Sequence, residues 1–223
     1  MDYAIMNFVQ QNLHTAFTDV FFPIVTMLGN HGLVWLCLIA ALLLTKKYRR
    51  CGGMLLLTLA ATFLLGEFIL KPIIARPRPF VDNPNVLLLI PPPSGYSCPS
   101  NHSSSSFAVA TMLCFYHKKA GIAALVLAFL IAFSRIFLFV HYPTDVIFGA
   151  ILGILCSVLL YKGSQAWQHK YSKNTFSRLV YTDCFYIYEK YIQYAVFFLQ
   201  NRFLLNVNST FSSSIRHKIY HPI

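Results

Sequence analysis

The sequence predicts an all-α fold, a polytopic membrane helical bundle with five to six transmembrane helices and additional interfacial helices. Two observations support this prediction. The 223 residues are 57% hydrophobic and only 11% charged, whereas soluble domains carry about 25% charged residues. The long apolar segments must then be helical, because the hydrocarbon core of a bilayer offers no partner to the polar groups of the backbone.

Five apolar segments are strong candidates for membrane-spanning helices. They occupy residues 31–45, 53–70, 102–117, 121–138 and 145–161. Residues 2–28 hold two shorter segments, each below the roughly 20 residues that a span needs. We interpret these as interfacial or shallow helices, although the second is also compatible with a short tilted span. The predicted organisation is therefore N-terminal helices at 1–30, a transmembrane core at 31–161 and a tail at 162–223.

The net charge of +11 is better explained by membrane orientation than by nucleic-acid binding. Lys and Arg lie in short loops between apolar segments, and the positive-inside rule places the loops at 46–50 and 117–119 and the basic tail in the cytoplasm. The loops at 71–101 and 139–144 then share the opposite face. The tail contains an aromatic-rich segment at 179–206, which we interpret as an amphipathic helix on the cytoplasmic membrane surface.

Three polar clusters lie at the ends of apolar segments on that opposite face. They are Lys71–Pro79, Pro99–His102, and a group formed by Ser134, Arg135, His141 and Asp145. Cations placed against the orientation rule usually have a function. The loop between the first two clusters also contains an apolar run at 86–90, which either lies on the bilayer as a lip or packs over the helix ends.

The cations of these clusters are suited to a phosphate ligand, which carries about two negative charges near neutral pH. Arg can bond two phosphate oxygens with its planar fork, and Lys acts as a point charge. We expect Lys71, Arg78 and Arg135 to surround the phosphate. Arg76 is a possible fourth cation, but the stiff prolines beside it favour a different direction from that of Arg78. A lone cation of this kind could equally snorkel to lipid headgroups.

The second cluster is predicted to begin a helix. Ser100 is placed to cap a helix that starts near Asn101, and the N–H groups at such a start favour anions. His102, in the first turn, would face the same site. Taken alone, His102 could equally be an interfacial residue.

The third cluster contains a His–Asp pair, His141 and Asp145, which are four residues apart. Pro143 and Thr144 lie between them and indicate a helix start. If this turn is helical, Asp145 accepts a hydrogen bond from Nδ1–H of His141 and leaves Nε2 free as a nucleophile. The helix dipole alone would stabilise the carboxylate, but it does not account for the histidine.

Two further inferences follow from side-chain chemistry. One histidine can attack phosphorus while the other protonates the departing oxygen and then activates water. Glu67 lies one turn before Lys71, so we expect it to brace that cation rather than to take part in the chemistry. Only Asp82 and Asp145 are plausible external carboxylates, so we expect no metal and no cofactor.

The three clusters resemble the signature of the type 2 phosphatidic acid phosphatase superfamily, which also includes vanadium haloperoxidases and bacterial acid phosphatases. The pattern is Lys-x6-Arg-Pro, then Pro-Ser-Gly-His, then Ser-Arg-x5-His-x3-Asp. Lys71–Pro79 matches the first element and Ser134–Asp145 matches the third. The second element differs only at Asn101, which replaces glycine. The resemblance covers about residues 15 to 161.

The resemblance implies a role for each matched residue. His141 would be the nucleophile that becomes phosphorylated, Asp145 would orient it, and His102 would be the general acid and later the base. The residues implied to bind the phosphate are Lys71, Arg78, Ser100, Arg135 and the amide of Asn101.

The leading hypothesis is a metal-independent lipid phosphate or pyrophosphate phosphatase at the outer face of a bacterial cytoplasmic membrane. Undecaprenyl pyrophosphate phosphatases and phosphatidylglycerophosphate phosphatases are the members most similar in size and layout, and we expect undecaprenyl pyrophosphate as substrate. The alternatives are another glycerolipid or lipid A phosphatase, a non-catalytic lipid-phosphate binder, and a vanadate-dependent haloperoxidase. The expected partners are the lipid substrate and the bilayer, with no nucleic acid. The oligomeric state stays open.

Overall fold

The computed structural model describes residues 1–172, and this part of the chain forms helices and no strand. The predicted all-α fold is therefore confirmed. The predicted tail helix at 179–206 lies outside the described residues. The helices are α1 (Asp2–Asn12), α2 (Thr18–Gly29), α3 (Leu33–Leu44), α4 (Arg49–Phe63), α5 (Lys71–Ile74), α6 (Pro79–Asp82), α7 (Asn101–Tyr116), α8 (Lys118–Phe137) and α9 (Pro143–Ser172), with a π-helical segment at Leu64–Leu70.

Four helical segments in the described part of the chain are long and apolar enough to cross a membrane. They are Thr18–Leu44, Lys46–Asp82, Lys118–Phe137 and Pro143–Lys170. The remaining predicted span, at 102–117, corresponds to α7, which has 16 residues and buries nine of them in the bundle. At 1.5 Å per residue, α7 is about 24 Å long and shorter than the hydrocarbon core. It is thus the central helix of the bundle rather than a lipid-facing one.

The first membrane segment is broken near its middle. The sequence leaves open whether residues 15–28 lie on the membrane or cross it, and in the structure α2 joins α3 to make one 27-residue apolar segment. The break lies at His31 and Gly32, whose φ angles are 51° and 68°. Glycine adopts such a left-handed conformation without steric cost. The break places the end of α2 beside the polar clusters.

The main hydrophobic core lies between α3, α4, α7 and α8. Its fully buried members include Trp35, Leu55, Met112 and Ile131. The indole Nε1 of Trp35 donates a hydrogen bond of 2.9 Å to Oγ of Ser106. A buried indole N–H needs such a partner. The contact fixes α3 against the second turn of α7.

A stripe of small residues lets α9 approach α7 closely. A Cβ atom added at Gly153 would lie 2.3 Å from the carbonyl oxygen of Ser104, and one added at Gly149 would lie 2.6 Å from that of Ser100. Two glycines four residues apart are a known means of close helix contact in membranes. One turn later, Ser157 Oγ donates to the carbonyl of Ala108 at 2.7 Å. This crossing brings the first turns of α7 and α9 together.

The apolar run at 86–90 has two faces. Val86, Leu88 and Ile90 are partly buried against hydrophobic clusters near the start of α1 and the end of α8. Leu87, between them, is 87% exposed. The alternation means that one side of the run packs over the helix ends, whereas Leu87 projects away from the protein.

Candidate active site

The three polar clusters converge at one end of the bundle, where their side chains are withdrawn from the surface. The buried members are Lys71, Arg78, Ser100, Arg135, His141 and Asp145. A buried ionic group is costly unless it is paired or has a ligand. The partners of each group therefore indicate what the site is built to do.

Arg78 and His141 form the centre of this site. Nη1 of Arg78 lies 3.1 Å from Nε2 of His141, and the same guanidinium donates to the carbonyls of Ser94, Gly95 and Val140 at 2.9–3.1 Å. A guanidinium only donates hydrogen bonds, so Nε2 must be the acceptor. In the neutral ring the proton is then on Nδ1. Nε2 carries the lone pair and is the atom able to act as a nucleophile.

The predicted direct hydrogen bond from His141 to Asp145 is replaced by a contact through Ser97. Nδ1 of His141 lies 3.7 Å from Oδ2 of Asp145, which is longer than a hydrogen bond. The reason is that α9 begins only at Pro143, so His141 precedes the first turn. Ser97 bridges the pair, since its Oγ lies 2.5 Å from Asp145 Oδ2 and 3.4 Å from Nδ1.

Asp145 is held by three further contacts. The main-chain N–H of Tyr142 donates to Oδ2 at 3.0 Å, and Nη1 of Arg76 donates to Oδ1 at 2.7 Å. The carbonyl of Asp145 accepts a hydrogen bond of 3.1 Å from the N–H of Ser100. Arg76 and Arg78 therefore have different partners, the carboxylate and the imidazole. The sequence analysis missed Arg76 as a partner of Asp145, and it missed Ser97 altogether.

Burial keeps His141 neutral. It lowers the pKa of the imidazole to about 3, and the nearby Arg135 and Arg78 lower it as well, whereas Asp145 acts in the opposite direction. A low pKa keeps Nε2 unprotonated at neutral pH. The electrostatics of the site thus match the tautomer inferred from its hydrogen bonds.

Lys71, Glu67 and Asn101 form a second group. Nζ of Lys71 donates to Oε2 of Glu67 at 2.6 Å, and Nδ2 of Asn101 donates to the same oxygen. Glu67 lies in the π-helical segment at Leu64–Leu70, and such segments often occur at functional sites. Glu67 braces Lys71 as the spacing predicts, but it also binds Asn101.

Asn101 and Ser100 start α7 as predicted, with two differences from expectation. Asn101 is the first residue of α7 and its φ is not positive, so the backbone does not require glycine there. Its Oδ1 is buried without a partner. Ser100 is the N-cap residue but makes no capping hydrogen bond with its side chain. Its Oγ instead accepts a hydrogen bond of 3.1 Å from Ser103.

The end of α2 supplies partners to the remaining two residues. Nη1 of Arg135 donates to Oγ1 of Thr26, while Nε of Arg135 is buried and has no hydrogen-bond partner among residues 1–172. Nε2 of His102 lies 3.0 Å from Oδ1 of Asn30. An amide oxygen only accepts, so this nitrogen of His102 carries a proton.

The site as a whole combines a neutral nucleophile, a second histidine that carries a hydrogen on Nε2, and three cations. Arg78, Arg135 and His141 all act electrostatically on His102, so the two histidines share one site. All predicted site residues are therefore near the site, with Glu67 behind Lys71. The arrangement has the groups needed to bind a phosphate and transfer it to a histidine.

Comparison with known proteins identifies a family. The PAP2 superfamily matches residues 52–169, which confirms the superfamily predicted from the three clusters. An undecaprenyl-diphosphatase of Sulfolobus acidocaldarius is 36% identical over 127 residues, which cover 56% of this chain and 61% of the relative. The chain thus matches less than two thirds of that relative's length.

Two solved structures have the same fold. Aquifex aeolicus LpxE has a TM-score of 0.64 and 29% identity, with 72% of this chain and 94% of the other covered. A transmembrane PAP2-type phosphatidylglycerolphosphate phosphatase from Bacillus subtilis has a TM-score of 0.61 and 28% identity, with 74% and 85% covered. These similarities confirm a membrane protein of this fold. The first relative is named a diphosphatase and the Bacillus subtilis structure a phosphatase.

Proposed function

Since the chain belongs to the PAP2 superfamily, we propose that it is an integral membrane lipid phosphatase that works through a phosphohistidine at His141. The observation that carries this proposal is the contact of 3.1 Å between Nη1 of Arg78 and Nε2 of His141. It means that Nε2 is unprotonated, and it places a phosphate-binding cation directly beside the lone pair, which Arg78 must release to the phosphate for the attack. The nucleophilic nitrogen and the guanidinium that would balance the phosphate charge are therefore buried side by side.

The first step is transfer of a phosphoryl group to the protein. Nε2 of His141 attacks phosphorus while the bond from phosphorus to the leaving oxygen breaks. His102 takes part in this step as the imidazolium, a form that the negative charge of the bound phosphate favours, and it donates its additional proton to that oxygen. Lys71, Arg78 and Arg135 balance the charge on the remaining phosphate oxygens, which is the main task of a protein in phosphoryl transfer. Asp145, through Ser97, stabilises the charge that develops on the imidazole of His141.

The second step restores the enzyme. His102, now without its proton, takes one from a water molecule as that water attacks phosphorus. The bond between phosphorus and Nε2 breaks, inorganic phosphate leaves, and both histidines return to their starting protonation states. The step consumes one water molecule and needs no other reactant.

The substrate that we propose is undecaprenyl diphosphate, handled at the extracytoplasmic face of a bacterial cytoplasmic membrane. The name of the Sulfolobus relative supports this choice, and the basic loops at 46–50 and 117–119 support the orientation. Phosphatidylglycerophosphate is the second candidate, favoured by the structural similarity to the Bacillus subtilis phosphatase.

Phosphate release tests this proposal. Purified wild type and His141→Ala are assayed in detergent with EDTA on undecaprenyl diphosphate and on phosphatidylglycerophosphate. We expect release by the wild type on one of them, undiminished by EDTA, and loss of at least about 10⁴-fold in the variant, because loss of a covalent nucleophile leaves only residual catalysis. Folded wild type that releases no phosphate from either lipid would contradict the proposal. The same is true of release that His141→Ala retains.

A further inference from the structure

We infer that helix α1 is part of the active site, because Asp2 is a positioning residue that holds Arg76, and through it Asp145, in place. This inference rests on the proposed function, since it assigns a role in the same reaction. Asp2 is 142 residues away from Thr144 in sequence, yet the two form direct contacts. The resemblance from which the site was predicted begins only near residue 15.

Three hydrogen bonds attach Asp2 to the site. Its Oδ2 accepts from Nη2 of Arg76 at 2.8 Å and from Oγ1 of Thr144 at 2.6 Å, and its Oδ1 accepts from the main-chain N–H of Thr144 at 3.2 Å. Thr144 precedes Asp145 directly. Asp2 therefore binds both Arg76, which donates to the carboxylate of Asp145, and Thr144, which precedes Asp145 in the chain.

Arg76 connects the two carboxylates with different nitrogens. Nη1 donates to Oδ1 of Asp145 and to Oγ1 of Thr144, both at 2.7 Å, and Nη2 donates to Asp2. The guanidinium carbon lies 3.8 Å from the ring centre of Tyr142. The fork of an arginine has fixed geometry, so Asp2 sets the direction in which Nη1 points. Without the carboxylate of Asp2, Nη2 loses its acceptor, and the hydroxyl of Thr144, which accepts from Nη1, loses the charged group that orients it.

The charge on Asp2 suits this task. Partial burial raises the pKa of its carboxyl, but the hydrogen bonds from Thr144 and Arg76 lower the pKa by more than burial raises it. The net change in pKa is therefore downward. Asp2 stays ionised at neutral pH. The positive charge of Arg76 is therefore shared between two carboxylates. Asp145 keeps more of its negative charge than it would if Arg76 bonded Asp145 alone.

The helix also holds the strained backbone before His141. Phe139 has φ of 57°, a conformation that is costly for a bulky residue and persists only when its surroundings enforce it. Met6 of α1 is fully buried in one cluster with Phe139 and Tyr142. Tyr3 adds a hydrogen bond of 3.0 Å between its hydroxyl and that of Tyr142. Docked α1 thus covers the loop that presents the nucleophile.

The test compares Asp2→Asn with Gln10→Ala in the full-length protein. Asparagine keeps an acceptor for Thr144 but loses the charge that orients Arg76. Gln10 provides a matched control on the same helix, because its Nε2 donates to the carbonyl of Phe137 at 2.9 Å and not to Asp2, Arg76 or Thr144. We expect kcat of Asp2→Asn to fall about tenfold, the lower range for loss of an outer-shell partner, with KM and the thermal midpoint little changed. Gln10→Ala should keep the wild-type kcat.

A double mutant identifies the path of the effect. If Asp2 acts through Arg76, then Asp2→Asn has no further effect on kcat once Arg76→Gln is present. Equal kcat for Asp2→Asn and Gln10→Ala, or full additivity with Arg76→Gln, would overturn the inference. Should Asp2→Asn fail to fold, Arg76→Lys replaces it, since one ammonium cannot bridge both carboxylates through two nitrogens. Wild-type kcat in Arg76→Lys would then overturn it.

The two proposals fail in distinguishable ways. A folded wild type without turnover contradicts the proposed function, and this inference with it. A wild type with turnover that Asp2→Asn fully retains contradicts only the role of Asp2.

Discussion

The nucleophile half of the site and its phosphate-binding half are built differently. On the nucleophile side, Asp145 receives hydrogen bonds from Ser97, Arg76 and the N–H of Tyr142, and His141 is bonded at Nε2 by Arg78. On the other side, Nε of Arg135 and Oδ1 of Asn101 are buried without a partner. Within the described chain, one half is closed and the other retains unused hydrogen-bonding capacity.

The difference separates positioning from binding. A nucleophile must be held in one orientation, so its supporting shell is satisfied before substrate arrives. A buried donor without a partner is costly, and an incoming phosphate would remove that cost at Arg135. We interpret Arg135 as the residue to which the phosphate supplies the missing acceptor, whereas Oδ1 of Asn101 needs a donor and is not satisfied by phosphate oxygens.

After loss of the nucleophile itself, the largest expected effect comes from removing the unsatisfied donor. Arg135→Ala should lower kcat/KM about 10²–10³-fold, the range seen when one preorganised donor to a transition state is lost. The matched control is Thr26→Val, which removes the present partner of Nη1 but leaves the guanidinium free to bind phosphate. We expect less than about a tenth of the Arg135→Ala effect there. Equal losses in the two variants would mean that Arg135 serves only to hold α2, and the comparison between the halves would fail.

Glu67→Gln should have a smaller effect. Glu67 bonds both Lys71 and Asn101, and the amide keeps its size but loses the charge that fixes the ammonium. We expect kcat/KM to fall about tenfold because an outer-shell partner is lost. Phosphate-release kinetics check this, with Glu67→Asp as a control that keeps the charge at a shorter reach. An unchanged kcat/KM in Glu67→Gln would show that Lys71 needs no brace.

The closed half should be sensitive to acid. The pKa of His141 is lowered from 6.5 to about 3 by burial, so between these values the unfolded chain binds a proton that the folded protein excludes. Stability therefore falls as pH is lowered through this window, by about 1.4 kcal/mol per pH unit for one proton. The thermal midpoint in detergent, followed from pH 7 to pH 4, should drop more steeply for wild type than for His141→Gln, which has no titrating group there. Parallel curves would contradict the buried neutral imidazole.

The smallest effect is expected at the one departure from the superfamily pattern. Asn101→Gly should change kcat/KM by less than about threefold, since the backbone there is already helical and the glycine penalty is only about 1 kcal/mol within a helix. The measurement is phosphate release side by side with wild type. A gain of tenfold or more would show instead that the Asn101 side chain obstructs the substrate.

Some of the site could be predicted because its signals are local. The i,i+4 spacing of Glu67 and Lys71 lies within a helical run, so the ion pair forms as expected. The cations and histidines of the three clusters are too unusual at the ends of apolar helices to be structural. By contrast, the same spacing failed for His141 and Asp145, because the helix start lies between them and not before them.

Other residues could not be predicted because their contacts are long-range and polar. Ser97 lies in an irregular loop, and Asp2, Thr26 and Asn30 reach the site only once α1 and α2 have packed against α8 and α7. No periodicity in the sequence encodes such contacts. The Gly149-x3-Gly153 stripe differs from them, since its spacing is visible in the sequence and indicates the close approach of α9 that the structure has.

Trapping the covalent intermediate tests the central claim most directly. Wild type is mixed with lipid diphosphate labelled on its terminal phosphate, turnover is stopped with alkali, and the label is located in peptides. The account predicts acid-labile label on His141, absent from His141→Ala and accumulated in His102→Ala, where the base that activates water is missing. Turnover without label on the protein, or label on a residue other than His141, would contradict it.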